Sequence, residues 1–317
     1  MKRLTIGVSP HIFSPVDTTY LMKSVIKALL PALAAGVYFF RWQAVGLVIA
    51  SVSGCLLAEV LSRKLRKKPI EMGNYSSLLT GMLLAMILPP SLPLWMAFLG
   101  GVVAIALGRE IFGGLGSNVF NPALLARAFL MAAFPVALTT WIRPITLDAV
   151  TTATPLGLAK FGGETPALGL LAWGRIGGCM GETSALALLA GIAYLLYVKV
   201  IDYRIPTAYL GTVMVFAGIT RFISPAVYMG PMFHLLAGGL LLGAGFMATD
   251  PVTSPVTARG RWVFGVGCGL ITMTIRLWGG LPEGVMYSIL LMNAATPLIN
   301  RMTRPKRYGT VKVEKSR

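Results

Sequence analysis

Residues 148–157 place three hydroxyls within four positions, Thr151, Thr152 and Thr154, just ahead of Pro155. A threonine hydroxyl is a weak nucleophile, but in an exposed segment with small neighbours such as Ala153 an external enzyme can reach it and join it to a phosphate. Pro155 disfavours the helical region for Thr154 and holds it extended. On residue chemistry alone the run reads first as a polar loop and second as an acceptor.

Other groups define what this chain can do without help. Glycine-rich turns at 113–122 and 279–285 run into apolar segments. Each presents free N–H groups and a positive helix end to an anion or a polarised carbonyl, or else permits close helix packing. Asn118 and Asn121, ahead of Pro122, either cap the following helix or bond a polar ligand. Arg127 is the one charge placed well inside an expected span, whereas Glu59, Glu110, Asp250 and Glu283 fall at span ends. Intramembrane charge is costly and usually functional, and without a run of carboxylates an ion path needs partner subunits. Asp250 and Glu283 are the best polar candidates, as ligands or as caps of broken helices. Cys55, Cys179 and Cys268 form no CxxC pair, and His11 and His234 have no ligand-spaced neighbour, so all five read as structural. No P-loop, dinucleotide fingerprint or Ser-His-Asp order is present.

The elements that must position these groups are membrane helices. The 317 residues are 56% hydrophobic and 12% charged, with a mean hydropathy of +0.74, outside the range of soluble domains. About ten apolar segments approach the ~20 residues needed to cross a bilayer as helix. They lie at 20–40, 42–61, 75–92, 94–112, 119–138, 183–200, 206–223, 232–249, 261–278 and 282–300. The polar first twenty residues are no removable signal peptide and are expected to be retained. The net charge of +17 sits in short clusters flanking apolar segments, which indicates topology rather than nucleic acid. With both termini cytoplasmic, Lys2, Arg3, Arg63, Lys64, Arg66, Lys67, Lys68, Arg109, Lys199, Arg204, Arg259, Arg261 and the basic tail at 301–317 fall inside, and Arg41, Arg143, Lys160, Arg175, Arg221 and Arg276 outside. That bias, about three to one, puts the 139–182 connection, with its threonines, on the outer face.

Laying 113–128 over 279–294 aligns GGL, a Val, a Leu pair and a final Ala, and 78–90 echoes 236–251 more weakly. Copies an odd number of spans apart run oppositely through the bilayer, the pattern of an inverted repeat with a site where discontinuous helices meet. The expected organisation is 1–138 with five spans, 139–182 as outer loop, 183–300 as an inverted five-span copy, and the cytoplasmic tail. The fold class is an all-α polytopic membrane protein.

The segments SPH, VIKALLPALAAGVYFF, LLTGMLLAMILPPSLPLW, FGGLGSNVFNPALLARAF, HLLAGGLLLGAGFMATDPVTSPVTARGR and RLWGGLPEGVMYSILLMNAATPLIN resemble, in that order over about 9–300, the D subunits of Rnf electron-transport complexes, homologues of the B subunit of the sodium-translocating NADH:quinone reductase. The resemblance implies two inverted five-helix halves similar to urea transporters. It implies FMN joined through its phosphate to a threonine of a Ser/Thr-Gly-Ala-Thr motif by a flavin transferase on the outer face. Here Thr151, Thr152, Ala153 and Thr154 match that motif, making Thr154 the acceptor, with Thr152 in the glycine's place and Thr151 or Thr152 as alternatives. Asp148 matches an upstream acidic residue that helps the transferase bring its metal to the hydroxyl. A short N-terminus favours the Rnf type over the quinone-reductase type. The implied function is that of one component, inactive alone, of an ion-translocating ferredoxin:NAD oxidoreductase in the bacterial inner membrane, working with the A, B, C, E and G subunits and with Na+ or H+, among lipids and without nucleic acid. A second, non-covalent flavin such as riboflavin would be sought near Gly114, Asn118 and Asn121 or near 280–283. A urea- or ammonium-type solute channel is the alternative from another class, and it needs no flavin acceptor.

Overall fold

An apolar chain that leaves water must satisfy its backbone within itself, and helices do so segment by segment. The computed structural model describes residues 16–67, 72–142, 144, 154–163, 165–174, 176–225 and 227–305, and every regular element among them is a helix.

α1, Thr18–Leu65, starts where the Asp17 carboxylate accepts the N–H of Tyr20 at 2.6 Å. A straight helix of 48 residues would reach ~72 Å, more than twice a hydrocarbon core of ~30 Å. Arg41, at φ 51° and ψ −131°, divides it into two arms at the boundary expected from the sequence. α2, Ser76–Ile87, is shorter than the expected 75–92 span. The Pro89-Pro90 break and a return at Pro93 separate it from α3, Leu94–Ile105, which continues through a π turn, Ala106–Glu110. α4, Pro122–Ala133, and the short α5, Pro135–Thr139, are split at Phe134 because Pro135 cannot donate to a continuing helix.

Two short helices follow, α6 at Pro155–Phe161 and α7 at Leu168–Trp173. Then come α8, Ala185–Tyr197, and α9, Arg204–Ile223. The expected span 232–249 is discontinuous: α10, Pro231–Leu236, and α11, Leu240–Leu242 with its π turn Gly243–Met247, are separated by Gly238 and Gly239 at φ 71° and 63°. α12, Ala258–Trp278, and α13, Val285–Met302, are the last helices among the described residues.

α1 packs on α2 and α3, and α3 on α4; α9 packs on α12, and α12 on α13. Backbones come close where side chains vanish. A Cβ on Gly54 would lie 2.2 Å from the Phe98 carbonyl oxygen, and one on Gly265 2.8 Å from that of Ile205, the small-residue packing expected when lipid gives helices no hydrophobic drive to associate. One apolar core threads both groups. A second, built on Leu156, Leu171, Ile176, Phe233 and Ala237, fastens α6 and α7 to α10.

The sequence assigns 139–182 wholly to a surface connection, but its end is buried. Cys179, Met180, Glu182 and Thr183 are each at most 6% exposed. The Cys179 thiol donates to the Ile87 carbonyl at 3.0 Å and the Met180 N–H to that of Leu88 at 3.4 Å. These bonds satisfy carbonyls that the early end of α2 leaves open. Arg276, counted among the outer charges, is likewise buried at 3% exposure. Cys55, Cys179 and Cys268 are buried and unpaired.

Candidate functional site

Thr154 has an extended backbone at φ −58° and ψ 157°, and its hydroxyl oxygen accepts the N–H of Gly157 at 3.2 Å, capping α6. Pro155 occupies the first helical position, where a missing N–H costs nothing. The threonine is 3% exposed rather than standing open on a loop. It lines a cavity of about 430 Å3 together with Trp141, Phe161, Tyr287, Arg127 and Glu283. Asp148, Thr151, Thr152 and His11 lie outside the described residues.

Two helices and a turn supply the cavity's polar wall. Arg127, in the middle of α4, reaches across 156 residues of sequence to Glu283, with Nη2 to Oε2 at 2.8 Å. Glu283 sits in the 279–284 turn that leads into α13, so this turn contributes to the threonine's cavity. Lys160 of α6 fastens the same turn: its ammonium donates to the carbonyls of Ile275 and Leu281, each at 3.1 Å, and to that of Gly279. Behind Arg127 and Glu283 a smaller cavity is lined by Cys179, Glu182, Gly238 and Gly239. One carboxylate oxygen of Glu182 is buried without a hydrogen-bond partner.

Arg276 closes the broken helix beside it. Its guanidinium donates to the carbonyls of His234 at 2.6 Å, Ala237 at 2.9 Å and Gly238 at 3.3 Å. His234 is buried among these groups with neither ring nitrogen hydrogen-bonded.

The other candidates gather elsewhere. Asn118 and Asn121 line a cavity with Asp250, Thr249 and Phe246, at the end of the bundle that holds the 109–118, 199–205 and 250–260 connections. Asn121 caps α4 by accepting from the N–H groups of Ala123 and Leu124 at 3.1 and 3.4 Å, and donates to the Met247 carbonyl at 3.3 Å. Asn118 donates to the Phe120 carbonyl at 3.2 Å. Asp250 accepts from the Val252 N–H and the Thr253 hydroxyl, both at 3.3 Å. Gly114, at φ 109°, is half-buried and does not line that cavity. Nearby, Arg109 on the π turn pairs with Glu59 and Glu110 at 3.1 Å and donates to Ser76 at 2.7 Å. The span-end carboxylates Glu59 and Glu110 thus belong to a buried ionic knot.

Sequence reasoning missed Glu182, Lys160 and Arg276. An acidic residue in a glycine-containing run just ahead of an apolar helix was the signal for Glu182, and a cation in a last helical turn was the signal for Arg276. Lys160 likewise stands in the last turn of its helix, but its three acceptors lie more than a hundred residues away.

The family model described as NQR2, RnfD, RnfE family matches residues 5–309. The D subunit of the Na(+)-translocating ferredoxin:NAD(+) oxidoreductase complex of Acetobacterium woodii is 50% identical, covering 98% of this chain and 97% of its own. The D subunit of the proton-translocating ferredoxin:NAD(+) oxidoreductase complex of Clostridium ljungdahlii is 44% identical over 96% of each chain. The corresponding D subunit of the ion-translocating oxidoreductase complex of Halorhodospira halophila is 38% identical over 99% of this chain and 97% of its own.

Proposed function

The chain belongs to the NQR2, RnfD, RnfE family, and from that membership we propose that it is the membrane-embedded D subunit of an ion-translocating ferredoxin:NAD(+) oxidoreductase. The observation that carries this reading is the end-to-end likeness to relatives bearing that name. The A, B, C, E and G subunits complete the complex. The relatives are named for Na+ and for protons, so the test reads both. Membranes from cells lacking this chain lose ferredoxin-dependent NAD reduction and the Na+ or H+ uptake coupled to it, and a restored copy returns them. Retention of coupled activity without the chain contradicts the reading.

The proposed architecture is two inverted five-helix halves of urea-transporter type in the bacterial inner membrane, with both termini cytoplasmic and Thr154 on the outer face. The matching order of packing, α1 on α3 on α4 and α9 on α12 on α13, supports it. So does the fact that each half holds one helix cut short, α2 and α10.

The proposed cofactor is FMN, esterified through its phosphate to Thr154 by a flavin transferase. The residues fit such a group. The cavity of about 430 Å3 falls within the roughly 300–1,000 Å3 of small-molecule sites, its walls include three aromatic side chains, and the buried Nε of Arg127 has no partner. When bound, the flavin supplies the electron-transfer chemistry. The chain's own residues anchor it at Thr154, line its cavity with Trp141, Phe161 and Tyr287, and set the local field with Arg127 and Glu283. For a non-covalent flavin such as riboflavin the proposed place is beside Asn118 and Asn121, whose amides line a cavity with Ser76, Thr80, Arg109, Thr249 and Asp250. A purified complex holding no flavin beyond the covalent ones removes that second site.

A further inference from the structure

Arg127 and Glu283 are the two opposite charges in the wall of the Thr154 cavity, and nothing in the anchoring chemistry requires either. Their side chains are 8% and 20% exposed. A buried ion pair is often no more stable than an apolar pair of the same volume. Its presence in an apolar interior therefore calls for a role beyond stability. Position suggests the role. The pair joins α4 to the turn ahead of α13 at the cavity's edge. The guanidinium is only partly spent, because its Nε is buried and unpaired. Glu182 and Arg276 stand on the far side, around Gly239 and Gly238, so among the described residues the charges that line the cavity are Arg127 and Glu283.

We propose that Arg127 and Glu283 form an opposed charge lever on the redox group anchored at Thr154, the arginine making its reduction easier and the glutamate making it harder. This deepens the flavin reading given above and rests on it. An electron arriving in the cavity brings negative charge with it. A guanidinium in the wall lowers the cost of that charge and a carboxylate raises it, and both effects are large where water is excluded. The two residues therefore have effects of opposite sign, which a purely structural role for the pair does not produce. The ion pair also holds the guanidinium where it faces the cavity.

The test uses the assembled complex, loaded by its flavin transferase, with the Thr154→Ala complex as the reference that lacks this flavin. Spectroelectrochemical titration reads the ratio of reduced to oxidised flavin at a fixed potential. Arg127→Gln is expected to lower that ratio roughly tenfold or more and Glu283→Gln to raise it by a similar factor. Arg127→Lys keeps the sign of the charge and stays near wild type. The double variant, with both charges gone, also returns toward wild type. That variant and Arg127→Lys carry the test if a single neutral variant fails to assemble, since the proposal is overturned if either titrates far from wild type. Fluorescent, loaded variants whose potentials do not move, or move in the same direction, overturn the proposal alone. A wild-type polypeptide without covalent flavin overturns the flavin reading and the proposal together.

Discussion

A single guanidinium holds the discontinuity of the second half in place. Arg276 satisfies carbonyls on both sides of the gap between α10 and α11, and no other described side chain donates to those three oxygens. Removing it leaves buried acceptors bare and deletes one charge from a group of four that includes Arg127, Glu182 and Glu283. Arg276→Met is therefore expected to destabilise the protein by ~3–5 kcal/mol, read as a lowered thermal midpoint in detergent, whereas Arg276→Lys recovers part of it. At this scale the sequence reveals residue type more readily than environment. Arg127 stands out because a charge within an apolar run is visible locally, but Arg276 sits two residues from a Trp-Gly-Gly end and reads equally well as an outer-face charge. Only the folded chain shows that the gap at Gly238 and Gly239 lies against it. Thr154 shows a related limit: its extended backbone follows from Pro155, but its burial follows from the partners of α6.

Among elements, α6 is the piece that closes the cavity, and Lys160 is what ties it down. Lys160→Met removes three charge-assisted bonds to the end of α12 and the turn beyond. The expected cost is ~1–3 kcal/mol, with faster hydrogen exchange or proteolysis within 154–163 and little change in α1 or α9. An unchanged exchange rate there contradicts the clamp. On the other face, Asp202 accepts the Arg204 N–H at 2.8 Å and pairs with Arg204 at 2.9 Å and Arg261 at 2.5 Å, tying the α8–α9 turn to α12. Partial burial works against its charge, but these bonds prevail and hold the carboxyl below its ordinary range. A depressed carboxylate contributes in full above its unfolded pKa of about 3.9 and loses that contribution as pH falls through the lower folded value. Asp202→Asn should then be less stable than wild type at neutral pH and converge with it in acid, as thermal melts across pH would show. Breaks between elements are legible in sequence, since proline pairs and glycine runs act locally, and the two arms of α1 meet at Arg41, between two expected spans. The inward course of 176–183 is not legible, because contacts with Met86, Leu242 and α1 produce it.

As a whole the molecule places its two polar cavities at different points along one helix, α4. Asn121 caps α4 beside the cavity that Asp250 lines, and Arg127, less than two turns on, enters the wall of the Thr154 cavity. The family is legible in the sequence because its motifs are long and spread over most of the chain. The cavities are not, since each gathers residues from segments distant in sequence. The central claim is that Thr154 anchors a flavin within the cavity it lines with Arg127 and Glu283. Mass spectrometry of the fluorescent band from the denatured, transferase-loaded polypeptide tests it most directly. The predicted result is one FMN phosphoester on Thr154, with fluorescence lost in Thr154→Ala. A band without flavin, or one that still fluoresces in Thr154→Ala with the adduct on Thr151, Thr152 or elsewhere, would contradict it.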